Sequence, residues 1–236
     1  SIFEQNFNGV KNYGDATTIR GHDLPDFDFL VGGFPCQSFS VAGLQKGFDD
    51  TRGTLFFEIS RILKDKRPRY LLLENVRGLL SHDGGKTFQT ILGVLTDLGY
   101  GVEWQVLNSK NYGVAQNRER AFIVGHLGNR SAGKIFPITG DGGEGPGVTG
   151  EDIAYAIDAN YSKGTNTLDK SRRQLVATDS RIRRLTPTEC ERLQGFPDGW
   201  TAGLSDTQRY RALGNAVTVN VITAIIDRLA KLDRGV

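Results

Sequence analysis

The chain has 236 residues, 38% of them hydrophobic, and a formal net charge of +2; this is enough for one large domain, or one with a small appendage, around an ordinary apolar core. No run of about 18 apolar residues reads as a membrane span, and the opening SIFEQNFNGV lacks the charged-then-apolar order of an export signal. Two cysteines, Cys36 and Cys190, cannot build a disulfide framework or a four-ligand zinc site and suit a reducing compartment, so a cytoplasmic protein without a metal is expected.

In chain order, DFDFLVGG (26–33) is a short apolar run that predicts a buried parallel strand. Leu55, Phe56, Ile59, Ile62 and Leu63 then recur at helical spacing. RYLLLENV (69–76) predicts a second strand, and Phe88, Ile91, Leu92, Leu95 and Leu98 a second helix that stops at Gly99. VEWQVLN (102–108) and RAFIVGHL (120–127) read as two more strands of the same kind. Strand alternating with helix argues for an open α/β sheet covered on both faces.

From Gly128 the character changes, and GNRSAGKIFPITGDGGEGPGVTGED reads as loops and short strands of a separate small unit. Gly140, Gly142 and Gly145 fit G-x-G-x-x-G, but no helix opens after them, so this is not a dinucleotide site. The segment 170–184 holds Lys170, Arg172, Arg173, Arg181, Arg183 and Arg184 against only Asp179. Such a block either neutralises phosphates or forms a solvated basic face. Helical spacing returns in AVTVNVITAIIDRLAKL (216–232), where Val217, Val221, Ile225 and Leu229, flanked by Ile222 and Ile226, form one face. These shifts divide the chain into a main part (1–127), a small second part (128–207) and a C-terminal helix returning to the main part (208–236).

Reactive groups in an open α/β sheet gather beyond the carboxyl ends of the strands. Cys36 lies there after Gly32, Gly33 and Pro35; alone it fits an inert, buried thiol as well as a reactive one. Glu74 ends the leucine run of the second strand, and a buried carboxylate needs a partner. Arg118 or Arg120 in QNRER could supply it, as a structural ion pair or as part of a site. His22, His82 and His126 make no obvious Cys–His pattern, so a papain-like mechanism has little support, and conjugate addition is the alternative. A thiolate can add to C6 of a cytosine ring if a carboxyl group holds N3 and the exocyclic amine, which leaves C5 nucleophilic.

GGFPCQSFS, LLLENV, NYGVAQNRERAFIVG, RRLTPTECERLQGFPDGW and RYRALGNAV together resemble, in order, motifs of the DNA (cytosine-5) methyltransferases that use S-adenosylmethionine. The resemblance implies a Rossmann-like methyltransferase sheet with a small, mostly irregular or β target recognition domain, so that 1–127 is the catalytic domain, 128–207 the target recognition domain and 208–236 the closing helix. It implies Cys36 as nucleophile, Glu74 on cytosine N3 and N4, and Arg118 and Arg120 orienting the base and the glutamate. For the cofactor it implies Asp15, Ala16, Pro35, Leu55, Asn215 and Val217. For double-stranded DNA it implies Gln37 and Ser40 in the closing loop, with Arg172, Arg173, Arg183 and Arg184 from the basic block. A bacterial or phage enzyme of restriction-modification or phage DNA protection is expected. A tRNA cytosine-5 methyltransferase, or a DNA-binding subunit that flips bases without methyl transfer, are the alternatives. In family order an F-x-G-x-G loop and an acidic ribose ligand precede Ser1, so a further N-terminal segment or subunit is expected to complete the cofactor site.

Overall fold

The computed structural model describes residues 2–35, 55–128, 134–139, 154–159, 161, 175–178 and 181–234, with backbone only at 154–155, 175–178 and 181–182. In chain order these form α1 (Ile2–Asn6), β1 (Phe29–Gly33), α2 (Leu55–Lys66), β2 (Tyr70–Val76), α3 (Lys86–Asp97), β3 (Tyr100–Asn108), β4 (Gln116–Asn117), β5 (Glu119–Leu127), β6 (Ala154–Tyr155), β7 (Leu175–Thr178), β8 (Arg181–Arg184), α4 (Pro187–Leu193), α5 (Asp206–Asn215) and α6 (Val219–Asp233). They fall into two compact units.

The sheet unit comprises Lys11–Leu107, Glu119–Pro137 and Leu232–Val236. Its strands lie in the order β1-β2-β5-β3. On one face Leu71, Leu73 and Ile123 share a cluster with Phe56, Phe57 and Leu63 of α2 and Phe88, Ile91, Val94 and Leu95 of α3. The alternate residues Leu72, Phe122 and Val124 point to the other face and are also buried. Burial on both faces explains why β2 and β5 read as unbroken apolar runs. Each such side chain contributes about 1.5–3 kcal/mol. β1, expected to be buried as well, is not: Val31 is 58% exposed.

Two further expectations need correction here. β1 is parallel to β2, but β5 runs antiparallel to it, so the sheet is mixed. The link between β3 and β5 contains one turn of 3-10 helix and the short β4, whereas a parallel crossover takes about a dozen residues or more, usually a helix. Leu55 is 37% exposed, and Phe57 takes its place in the buried face of α2.

The helical unit comprises Ser1–Val10, Asn108–Arg118 and Ile138–Lys231. α4 starts on a reciprocal cap between Thr186 and Glu189, with Pro187 in the first turn. Ile157, Tyr161, Leu185, Cys190, Tyr210 and Leu213 form the apolar core beside it. The final helix begins at Val219, leaving Val217 in the link after α5, two residues later than helical spacing predicts. A tertiary contact sets that start: the amide of Val219 donates to the Gln194 carbonyl, while Thr218 Oγ1 bonds Gln194 Oε1 and Ser109 Oγ. The stretch Asp206–Asp233 has the length and hydropathy of a span only as one piece. Its helices have 10 and 15 residues, short of the roughly 20 needed.

Candidate active site

Glu74 follows three buried leucines in β2, and its side chain is 16% exposed. A carboxylate so placed loses hydration that only a close donor restores. Arg120, second residue of β5, donates from Nε to Oε1 at 2.9 Å. The register accounts for the meeting: Arg120 stands opposite Val76, making it the diagonal neighbour of Glu74 on the same face. Burial lowers the guanidinium's pKa, and the Glu74 carboxylate offsets that only in part. On the other flank Gly33 stands opposite Glu74. A Cβ there would lie 3.3 Å from Oε2, so the glycine leaves the space the carboxylate uses.

Asn75 points to the opposite face and is 2% exposed. Its Nδ2 donates to the Phe34 carbonyl at 2.7 Å, and its Oδ1 accepts from the amide of Val76. β1 has ended at Gly33, and Pro35 has no N–H with which to continue a ladder. A side chain therefore closes the strand pair and anchors the peptide that leads into Cys36. Cys36, Gln37 and Ser40 lie outside the described residues. The sequence reading missed Asn75; its signal was an amide at the end of a leucine run, one residue from the glutamate.

Among the residues expected to meet the cofactor, Asp15 is exposed, and its Oδ1 accepts from the amide and hydroxyl of Thr17 at 2.9 Å each. Those bonds lower its pKa and keep it anionic. The Ala16 carbonyl accepts from Arg61, which Glu58 holds at 2.7 Å. Pro35 is exposed, as is Leu55. In the helical unit Asn215 is exposed at the end of α5. Val217 lines an apolar cavity of about 600 Å³ with Phe196, Trp200, Ile222 and Ile226. S-adenosylmethionine carries a flat adenine, a ribose diol and a charged tail, so its site combines apolar walls with polar acceptors. Val217 and Leu55 fit the first requirement, and Asp15 fits the second.

Arg118 does not share the surroundings of Arg120. Its guanidinium is buried and donates to the carbonyls of Ile157, Gly214 and Ala216.

A family model described as C-5 cytosine-specific DNA methylase matches residues 1–141 and 143–231. The type II methyltransferase M1.ScrFI of Lactococcus lactis subsp. cremoris is 40% identical, over 98% of this chain and 69% of its own length. The type II methyltransferase M.HhaI of Haemophilus parahaemolyticus is 33% identical, over 95% and 82%. The chain belongs to the C-5 cytosine-specific DNA methylases. Its fold is also that of the Dnmt2 methyltransferase of S. pombe, with a TM-score of 0.72 at 18% identity over 100% of this chain and 88% of that one.

In this methylase chain the basic block is partly committed to internal contacts. Arg183 Nη1 and Nη2 donate to the two carboxylate oxygens of Glu189 at 2.8 and 2.9 Å. Arg184 lies over the Tyr210 ring, 5.4 Å from its centroid, and donates to the Tyr161 carbonyl. Arg172 and Arg173 lie outside the described residues. Among the described residues no group of three or more His, Cys, Asp and Glu side chains is placed to hold a metal ion.

Proposed function

We propose that this chain methylates C5 of a cytosine flipped out of a short, specific duplex DNA sequence, with Cys36 as nucleophile and Glu74 and Arg120 holding the ring. The observation that carries the reading is the Glu74–Arg120 pair at the carboxyl end of β2, opposite the strand that leads through Asn75-anchored Phe34 to Cys36. Flipping costs a few kcal/mol of unstacking, which pocket contacts recover.

The Cys36 thiolate adds to C6, forming an S–C6 bond and moving the C5–C6 π pair toward C5 and N3. Only a few per cent of a thiol of ordinary pKa, about 8.5, is ionised at neutral pH, so positive charge nearby favours the attack. Glu74, carrying a carboxyl proton, donates it in a hydrogen bond to N3 and accepts from the exocyclic amine with its other oxygen, stabilising the negative charge that develops at N3, while Arg120 fixes the carboxyl group's orientation. S-adenosylmethionine, when bound, supplies a methyl group made electrophilic by its sulfonium. The residues that would hold it are Asp15, Ala16, Pro35, Leu55, Asn215 and Val217. Loss of the C5 proton to solvent then returns the electron pair to the C5–C6 bond and expels the Cys36 thiolate.

Similarity to type II methyltransferases at 33–40% identity supports DNA over tRNA as substrate, restriction-modification or phage protection as setting, and the cytoplasm as location. The test is incubation with S-adenosylmethionine and duplex DNA carrying 5-fluorocytosine, whose fluorine cannot leave as a proton does. A covalent protein–DNA adduct is expected, and Cys36→Ser is expected to form none. Failure to form the adduct, with or without an added N-terminal fragment, would sink the activity; an adduct with Cys36→Ser would sink the nucleophile.

A further inference from the structure

The two arginines of QNRER face different tasks. The last turn of an α-helix leaves carbonyls without intrahelical partners and carries partial negative charge. α5 has no basic residue of its own in that turn. Arg118 reaches it from β4's end of the chain: Nη2 donates to the Gly214 carbonyl at 3.1 Å and to the Ala216 carbonyl at 2.8 Å. Nη1 donates to the Ile157 carbonyl at 2.9 Å. The side chain is 3% exposed, so these main-chain acceptors and the helix terminus compensate a buried cation.

The first two carbonyls flank Asn215. Fixing both restrains the peptide that enters Asn215 and the peptide that enters Val217. Gly214 adds to the restraint, because a Cβ on it would fall 2.2–2.4 Å from the backbone of Asp158 and Ala159. Helix end and the 157–159 segment are therefore in main-chain contact, and Arg118 bonds to both. A planar fork can hold several carbonyls in fixed directions, whereas an ammonium is a point charge on a flexible stem.

We propose that Arg118 is a positioning residue for the cofactor-binding segment Asn215–Val217, not a group that touches the target base. This rests on the reading that Asn215 and Val217 meet S-adenosylmethionine. Only Arg120 of the pair then serves Glu74.

The experiment compares the unmodified chain with Arg118→Lys and Arg120→Lys. Binding of S-adenosylmethionine is measured by calorimetry without DNA, and affinity for a 5-fluorocytosine duplex by gel shift. Amide exchange is followed at Ala216, whose N–H donates to Leu213. Arg118→Lys is expected to weaken cofactor binding about tenfold, as for loss of one charge-assisted hydrogen bond. It is also expected to speed exchange at Ala216 and to raise the KM for S-adenosylmethionine, leaving DNA affinity and kcat at saturating cofactor in place. Arg120→Lys is expected to do none of these to the cofactor side. Cofactor affinity unchanged in Arg118→Lys, or DNA affinity falling in its place, would overturn the proposal. An unmodified chain that binds no S-adenosylmethionine even with the F-x-G-x-G segment added is a separate result: it removes the cofactor reading of Asn215 and Val217, and the proposal with it.

Discussion

Cys190 has no exposed surface and sits among Ile157, Tyr161, Leu185 and Tyr210. Burial, reinforced by Glu189 and Glu191, pushes its thiol up to about 12. A thiol so buried and held protonated is a poor nucleophile at neutral pH. The chain's other thiol is Cys36, which the proposed chemistry needs accessible. A disulfide exchange reagent at about pH 8 should therefore label one thiol quickly in the native protein. In Cys36→Ser that fast phase should vanish, and Cys190 should react only after unfolding. Fast labelling of Cys190, or none of Cys36, would contradict the contrast between the two sites.

At the scale of elements, the strands and their order of appearance were legible because unbroken apolar runs such as Leu71–Leu73 mark burial on both faces. The direction of β5 was not legible, since a strand buried on both sides carries no pattern that distinguishes its sense. Helical spacing also ran on through Val217 although α6 starts at Val219; apolar periodicity does not register Gln194 capturing that amide. The split between Arg118 and Arg120 escaped for a similar reason. Two residues apart in one strand would share a face, but β5 begins at Glu119 and Arg118 precedes it. The sequence reading also missed α4, although T-P-T-E at its start is a capping signal. Glu189 caps Thr186 and binds Arg183, and those bonds lower its carboxyl from 4.5 to about 2. With the folded pKa below the unfolded one, the unfolded state binds more protons between these values. The contribution is then complete above about 4.5 and is lost as the pH falls toward 2. Glu189→Gln preserves an acceptor for the cap and should cost less than about 1 kcal/mol at neutral pH, because the pair is part-exposed. Denaturant curves of the two proteins should converge as the pH is lowered through that window, and parallel curves would contradict the assignment.

Over the whole molecule the net charge of +2 provides no general attraction to DNA, so affinity must come from where the cations lie. Of the block between 170 and 184, Arg183 is bound to Glu189 on both guanidinium branches, and Arg184 is held over Tyr210. A cation already neutralised by a carboxylate releases few counterions when DNA binds. Arg172 and Arg173 have no Asp or Glu within two positions along the chain, the nearest, Asp169, being three and four positions away, and the block's phosphate contacts are predicted to fall to them. Each phosphate contact contributes about 0.9 to the slope of log affinity against log salt on B-DNA. Arg172→Ala and Arg173→Ala should each flatten that slope by about this amount and weaken binding alike on cognate and unrelated duplexes. Arg183→Ala should leave the slope in place and show its effect in stability, through loss of the Glu189 pair. The reverse outcome, a flatter slope with Arg183→Ala and none with the other two, would place the DNA against α4's end of the block and return Arg183 to the phosphate-binding surface.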